Sequence, residues 1–300
     1  MAQAYFCSAA VVGDALHGAL PGARGFCGLA AFYMLRRSCR HLPCRRCCLF
    51  RPGFGRRMET KSSEDAQDTP SARTTRLLIV RHGETAWNVE KRLQGHCDIA
   101  LNEVGLRQAQ ELAAAMDKLG LTETVDAIVS SDLSRASETA DAIAKICPRA
   151  QRSADADLRE LNVGTFEGRL TDEVATLRFD LIQKWEKCDW TVRYPGETGD
   201  SPALAISRGL AALRRAARLG SCVVVVAHGG IIKWCALSIE LGEAAPTPEA
   251  IRQPRFIQVS HKKLGNCCLS RVTYDHTLDK FEGESWFESL LEEDARGDTG

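Results

Sequence analysis

Three apolar runs in this chain each break off at a cation, an imidazole or a glycine, and that repeated pattern limits the folds open to it. Leu77 to Val80, inside the stretch Arg76–Thr85, has the length of a buried strand and stops at Arg81, His82 and Gly83. Ala127 to Ser131 runs into Asp132, Ser134 and Arg135. Cys222 to Ala227 runs into His228, Gly229 and Gly230. Each run reads as a strand carrying polar groups to a sheet edge. In open α/β sheets, ligands bind beyond the carboxyl ends of the strands.

Helical patterns separate these strands. Asn102 is a good N-cap for a helix over 103–119 whose apolar face is Leu106, Ala109, Leu112, Met116 and Leu119, with Gly120 ending it. A helix over 134–147 turns Ala136, Ala140, Ile143 and Ala144 inward, and Pro148 closes it. A short strand precedes the polar loop 157–164. Helices over 171–188 and 201–219 flank a Pro195-Gly196 turn, another helix covers 231–241, and a last strand covers 267–273. The alternation predicts an α/β fold of three layers, α/β/α, with a mainly parallel central sheet.

Composition bounds the function. The length gives ample core, and a net charge of zero supplies no global attraction for nucleic acid. Residues 1–57 hold nine arginines and one acid, Asp14, and are expected to form a disordered extension or a targeting segment. The longest apolar run there, Phe26 to Leu35, is too short to span a bilayer, which takes roughly 20 residues. Residues 58–75 read as a flexible linker, 76–280 as the folded domain and 281–300 as an acidic tail. The expected location is cytoplasmic, or organellar (mitochondrion or plastid) if residues 1–57 are a transit segment. Thirteen scattered cysteines argue for free thiols in a reducing compartment. The Cys44–Cys47 pair lacks the second pair a zinc site needs, and the Cys39–Arg45 spacing lacks the glycines of a phosphate loop.

Brought to one edge, Arg81, His82, Arg135 and His228 make a cluster of two imidazoles and two guanidiniums, which calls for an anion, and a phosphate fits best. A neutral imidazole is a competent nucleophile when one ring nitrogen is held as a donor and the other faces phosphorus. Two arginine forks neutralise the equatorial oxygens. A leaving alkoxide needs a proton, and Glu160, flanked by Leu158 and Leu161, is the candidate acid, its apolar neighbours favouring the protonated form. Glu84 and Glu167 compete with it on composition alone. No metal motif such as H-E-x-x-H is visible, and the chemistry requires neither metal nor cofactor. His17, His41, His96, His261 and His276 have no such context and read as structural.

The blocks also carry a family resemblance. Arg81-His82-Gly83-Glu84-Thr85 with Asn88 is followed in order by Gln94-Gly95, Asp98, Leu101-Asn102, Gly105 and Ser130–Ala136. Leu158-Arg159-Glu160, Gly164, Phe166-Glu167-Gly168, Pro195-Gly196-Glu197 and Ala227–Gly230 complete the series. Over about residues 76–275 this resembles the histidine phosphatase superfamily in its phosphoglycerate mutase-like branch. The resemblance implies a phosphoglycerate mutase-like fold, a phosphohistidine on His82, and a phosphoryl group held by Arg81, Arg135 and His228. It further implies substrate contacts from Asn88, Gly95 and Gly229, with Glu160 protonating the leaving group and then activating water. The substrate it implies is a small phosphorylated metabolite, a phosphoprotein side chain being the alternative. Mutases in the family carry a longer segment between the acid and the second histidine, with a basic block that grips the glycerate carboxylate. Here that segment is short, has no matching block, and Gly230 stands where mutases typically carry Asn. Phosphatase is therefore the favoured reading, with a 2,3-bisphosphoglycerate-dependent phosphoglycerate mutase second and a non-catalytic phosphate-pocket scaffold third. His96-Cys97 fills a spot that is often aromatic, which is expected to alter the pocket wall.

Overall fold

A computed structural model describes residues 74–291. The expectations for residues 1–57, including Cys44–Cys47, and for most of the linker lie outside the described residues. Six strands, β1 (Thr74–Arg81), β2 (Ala127–Ser130), β3 (Gln151–Ala154), β4 (Cys222–Ala227), β5 (Leu269–Asp275) and β6 (Lys280–Glu288), form one sheet in the order β3-β2-β4-β1-β5-β6. The first four are mutually parallel, and β5 and β6 are added antiparallel at one side. The helices are α1 (Ala86–Val89), α2 (Glu103–Lys118), α3 (Ser134–Ala144), α4 (Ala175–Glu186), α5 (Pro202–Ala217), α6 (Gly229–Glu240) and α7 (Pro254–His261).

Alternation along β1 and β4 feeds two cores. Leu77, Ile79, Val223 and Val225 point to one face, beneath the helices α5 and α6. Leu78, Val80, Val224 and Val226 point to the other, against α2 and α3. Helices thus cover both faces, so the central strands are continuous apolar runs. The expected three-layer architecture is present.

The register positions the site. Arg81 pairs with Ala227 and Ser130 with Val226, so β2, β4 and β1 end level with one another at the centre of the sheet. The residues following those ends emerge side by side. On the α2 face Ala109, Leu112 and Met116 are buried as expected, but Leu106 and Leu119 are 44% and 57% exposed. The Asn102 side chain accepts from Gly105 N at 2.7 Å, closing the first turn. All described cysteines are free thiols.

Three boundaries differ from the sequence reading. The linker ends earlier, because Thr75 is buried in β1 with its hydroxyl donating to Ala217 O and Gly220 O at 2.8 Å. The helix expected from Thr171 begins at Ala175, and α7 is a helix that was not anticipated. The domain also does not stop at residue 280: Lys280–Glu288 is β6, which pairs with β5. Its acids, Glu282 and Glu284, lie on the exposed face, while Phe281, Trp286 and Phe287 join the core.

A chain ending at Asp279 should therefore fail to melt cooperatively, while one ending at Leu291 should melt like the full chain. Removing one buried Phe or Trp side chain costs about 3–5 kcal/mol, and β6 supplies three such residues against a usual total of about 5–15 kcal/mol. Thermal unfolding followed by circular dichroism checks this.

Candidate active site

The strand ends bring together the two imidazoles and two guanidiniums. His82 and His228 are 3% and 0% exposed, with ring centroids 5.1 Å apart. His82 Nδ1 lies 2.7 Å from Gly83 O, a carbonyl that can only accept, so the proton sits on Nδ1 and Nε2 keeps its lone pair. His228 Nδ1 accepts from Arg135 Nε at 3.1 Å, which puts the His228 proton on Nε2. That Nε2 is buried and has no partner, so it is a donor left open beside the His82 ring.

Arg135 is completely buried, contrary to the usual solvated arginine of a first helical turn. Its Nη1 donates to Cys97 O at 2.8 Å and its Nη2 to Gly95 O at 2.9 Å. Three of its five N–H groups are thereby used, and one on each terminal nitrogen remains. Arg81 Nη1 donates to Leu264 O at 2.6 Å, while its Nε is buried without a partner. Burial, then the positive charge of the two arginines, pushes the His82 imidazole well below its ordinary range. Burial and Arg135, with smaller effects of His82, Arg81 and Arg208, do the same to His228. Both rings are consequently neutral near pH 7.

Glu160 faces the same space, and its surroundings are apolar only in part. Leu158 turns into the core, whereas Leu161 lines the cavity beside the carboxylate, its Cδ1 and Glu160 Oε1 lying 3.1 and 2.5 Å from the point that a Cβ on Gly230 would occupy. The carboxylate also accepts from Leu161 N and Ile231 N at 2.9 Å and from Gly230 N at 2.8 Å. The last two are first-turn N–H groups of α6, which has no side-chain cap of its own, so Glu160 satisfies donors the helix leaves open. Gly230 permits this: a Cβ there would lie 2.5 Å from Glu160 Oε1. The backbone of the acid is pinned as well, its carbonyl accepting from His96 Nε2 and Arg208 Nη2 at 2.8 Å. The rival acids are tied elsewhere. Glu84 accepts from Asn102 Nδ2 at 2.8 Å and Glu167 from His96 N at 2.7 Å, and neither lines the cavity.

The cavity in front of these groups has a volume of about 780 Å³ and is also lined by Asn88, Gly95 and Gly229. Asn88 is the N3 residue of a capping box on α1, and its Oδ1 accepts from Asn266 Nδ2 at 3.3 Å. Asn266 Nδ2 also donates to His82 O at 3.0 Å. His96 and Cys97 do not form the wall, contrary to expectation; His96 braces Glu160 and Cys97 supplies a carbonyl to Arg135.

Several lining residues were not singled out from sequence: Gln94 as a polar contact, Arg178 and Tyr194 on one wall, and Lys233, His261 and Asn266 on another. Lys233 Nζ donates to Val259 O and Lys262 O at 2.7 and 2.8 Å, and burial pushes it down to about 8. The available signal was the dense run His261-Lys262-Lys263-Leu264-Gly265-Asn266 just before β5. Among the described residues that line the cavity, Glu160 is the single carboxylate. Lys91, Arg92, Arg178, Lys233, Lys262 and Lys263 add to the positive charge of Arg81 and Arg135. The arrangement can bind an anion, present a neutral imidazole to it and exchange a proton at a carboxyl group.

Comparison with known proteins agrees with that geometry. The family model of the histidine phosphatase superfamily (branch 1) matches residues 77–286. Phosphoglycerate mutase-like protein 4 of Arabidopsis thaliana is 36% identical over 175 residues, covering 58% of this chain and 73% of the relative. A metal-independent phosphoserine phosphatase of the same plant is 36% identical over 189 residues, 62% of this chain and 77% of the relative. The probable phosphoglycerate mutase GpmB of Proteus mirabilis is 37% identical over 205 residues, 67% of this chain and 86% of the relative. Among solved structures, a mycobacterial glucosyl-3-phosphoglycerate phosphatase superposes with a TM-score of 0.56 at 26% identity, covering 72% of this chain and 100% of its own. A model match that takes in β1 through most of β6, together with those relatives, shows that this chain is an enzyme of the histidine phosphatase superfamily, branch 1.

Proposed function

We propose that this enzyme is a metal-independent phosphatase that hydrolyses a small phosphomonoester through a phosphohistidine on His82. The observation that carries the proposal is a neutral His82, anchored through Nδ1, which lines a cavity together with Arg81, Arg135 and Glu160 and whose ring lies 5.1 Å from that of His228, a buried imidazole with an unpartnered Nε2. His82 Nε2 attacks phosphorus, and the bond from phosphorus to the leaving oxygen breaks. Glu160 gives its proton to that oxygen. A water then attacks the phosphohistidine while the Glu160 carboxylate takes its proton, and phosphate leaves with His82 restored. Arg81, the two remaining N–H groups of Arg135, and His228 Nε2 bind the equatorial oxygens. Each such preorganised donor is worth roughly 2.7–4 kcal/mol in the transition state. Asn88, Gly95 and Gly229 line the rest of the phosphoryl site.

The name of one relative, a metal-independent phosphoserine phosphatase, supports hydrolysis without a metal. Two others are named as phosphoglycerate mutases or mutase-like, which makes a mutase the second reading. Against it stands Gly230, whose missing side chain is the space the Glu160 carboxylate occupies. A side chain there, such as the Asn of mutases, would displace the acid from α6.

Phosphate release in the presence of a chelator tests the reading. His82→Ala should abolish release from every substrate while the thermal midpoint stays within a few degrees. Release that needs a metal, or isomerisation of phosphoglycerate without release, would overturn it. Glu160→Gln should slow alkyl phosphates about a hundredfold and aryl phosphates with good leaving groups much less. Gly230→Ala should reproduce that leaving-group signature by displacing Oε1, and equal losses on both substrate types would remove the proton-donor role. The pH dependence follows from the depressed histidines. Both are already neutral at 6.5, the ordinary imidazole value, so kcat/KM should show no imidazole loss on going down to that pH, and any loss from their protonation should fall on its acid side.

A further inference from the structure

We infer that Asn266 is a positioning residue: its amide nitrogen, bonded to both His82 and Asn88, fixes the donor end of the Asn88 side chain against the nucleophile. This role rests on the phosphatase reading for what Asn88 does and extends it to a residue that touches no reacting atom. Asn266 Nδ2 donates to His82 O at 3.0 Å and to Asn88 Oδ1 at 3.3 Å. A backbone carbonyl can only accept, so the His82 bond settles which end of the Asn266 amide is the nitrogen. Its two protons are spent on these two acceptors. On Asn88 the held end is the oxygen, which also accepts from Thr85 N at 3.1 Å and from Thr85 Oγ1 at 3.2 Å. Asn88 lines the cavity, and its Nδ2 bonds no described residue. Two N–H groups are therefore left on Asn88, and its oxygen cannot turn towards an anion without giving up three donors.

The sheet edge does not need this side chain for its own fold. The chain enters β5 through Cys267, a buried residue held at φ +55° although it is not a glycine. Strained backbone of this kind persists where its surroundings hold it, and it clusters at functional sites. Here the backbone holds it: Cys267 N donates to Arg81 O at 3.0 Å, and Arg81 N donates to Cys268 O at 3.1 Å. His82 O also accepts from Cys267 N at 3.4 Å, so it keeps a donor without Asn266. The helix α1 is in the opposite position. It is 4 residues long and has no fully buried side chain, so little packing holds it. Among the described residues, every other hydrogen bond of residues 86–89 stays within residues 85–92. The Asn266 bond is the one that ties α1 to the sheet edge, and it lands on the atom that decides which way the Asn88 amide faces.

The test is a double-mutant cycle on the full chain with Asn88→Ala, Asn266→Ala and the two together. Hydrolysis of aryl and alkyl phosphates in chelator gives kcat/KM, and calorimetric titration with inorganic phosphate gives binding. Asn266→Ala should lower kcat/KM about ten- to a hundredfold, the upper end being the cost of a misplacement of about 1 Å, and should weaken phosphate binding. Aryl and alkyl phosphates should lose equally, which separates this effect from displacement of Glu160. In the Asn88→Ala background the same substitution should change either readout less than about threefold, because the group it positions is gone. Asn266→Ser has one hydroxyl proton and cannot serve both acceptors, so it repeats the cycle where the Ala variant melts early. Losses that multiply in the pair mean that Asn266 supports His82 or the fold without Asn88, and they overturn the positioning role. So does an Asn266→Ala variant within about threefold of the unsubstituted chain. A chain that binds no phosphate overturns this role and the phosphatase reading together. If nothing is hydrolysed while phosphate binding follows the non-multiplying pattern, the phosphatase reading fails and the positioning role stands.

Discussion

A guanidinium with no solvent exposure and no bonded carboxylate is the constraint on which this site depends. Taking a charge out of water costs several kcal/mol unless its donors are met, and Arg135 meets three of its five with Gly95 O, Cys97 O and His228 Nδ1. The two carbonyls belong to one tight loop, and that loop has its own requirements. Gly95 sits at φ +51°, and a Cβ there would lie 2.2 Å from Glu167 Oε1. Glu167 in turn accepts from His96 N at 2.7 Å, which fastens the loop to a segment 71 residues further along the chain. Gly95 and Glu167 thus shape the carbonyls that Arg135 needs, and those carbonyls leave its positive charge without a carboxylate partner.

The same economy governs the acid. β4 passes directly into α6 through His228, so the helix starts with open N–H groups at the sheet edge where the imidazole emerges. Glu160 accepts two of them. One strand-to-helix junction therefore supplies the second imidazole and also the clamp for the proposed proton donor, Glu160. His96 and Arg208 hold the Glu160 carbonyl from two other directions, which limits how far the carboxylate can move.

Much of this was legible in the sequence because buried parallel strands are continuous apolar runs, and whatever polar residue ends such a run stands out. Arg81, His82, Arg135 and His228 were visible for that reason. Glu160 was legible as a residue and Leu161 as its apolar neighbour, but the donors that hold the carboxylate were not, because two of them lie 70 and 71 residues away on α6. The strand β6 was hidden by its acids: counting charge obscured the alternation of Phe281 and Gly283 with Glu282 and Glu284. On α4 the inward stripe was masked by apolar residues that turn to solvent, Leu177 and Phe179 being 56% and 45% exposed. Periodicity cannot assign a face when both faces carry apolar residues.

The candidate site is built from two kinds of material. Its imidazoles and guanidiniums stand on three strand ends locked by ladder hydrogen bonds, whereas another part of the cavity wall stands on α4, α6 and α7. That wall is stiffened by aromatic contacts: Trp185 packs edge-on against Tyr194 and Trp234 at 5.3 and 5.7 Å, and Trp190 reaches Trp234 at 5.2 Å and Phe256 at 6.5 Å. Such pairs resist rearrangement beyond what buried area alone provides. The segment after α7 joins the two parts, since Leu264 O accepts from Arg81 and Asn266 donates to His82 O. Lys233, reaching from α6 to the carbonyls of Val259 and Lys262, ties that segment to the helix that holds the acid. Changes on α4 accordingly act on the cavity wall alone, whereas changes between Val259 and Asn266 act on that wall and on the backbone of His82 together.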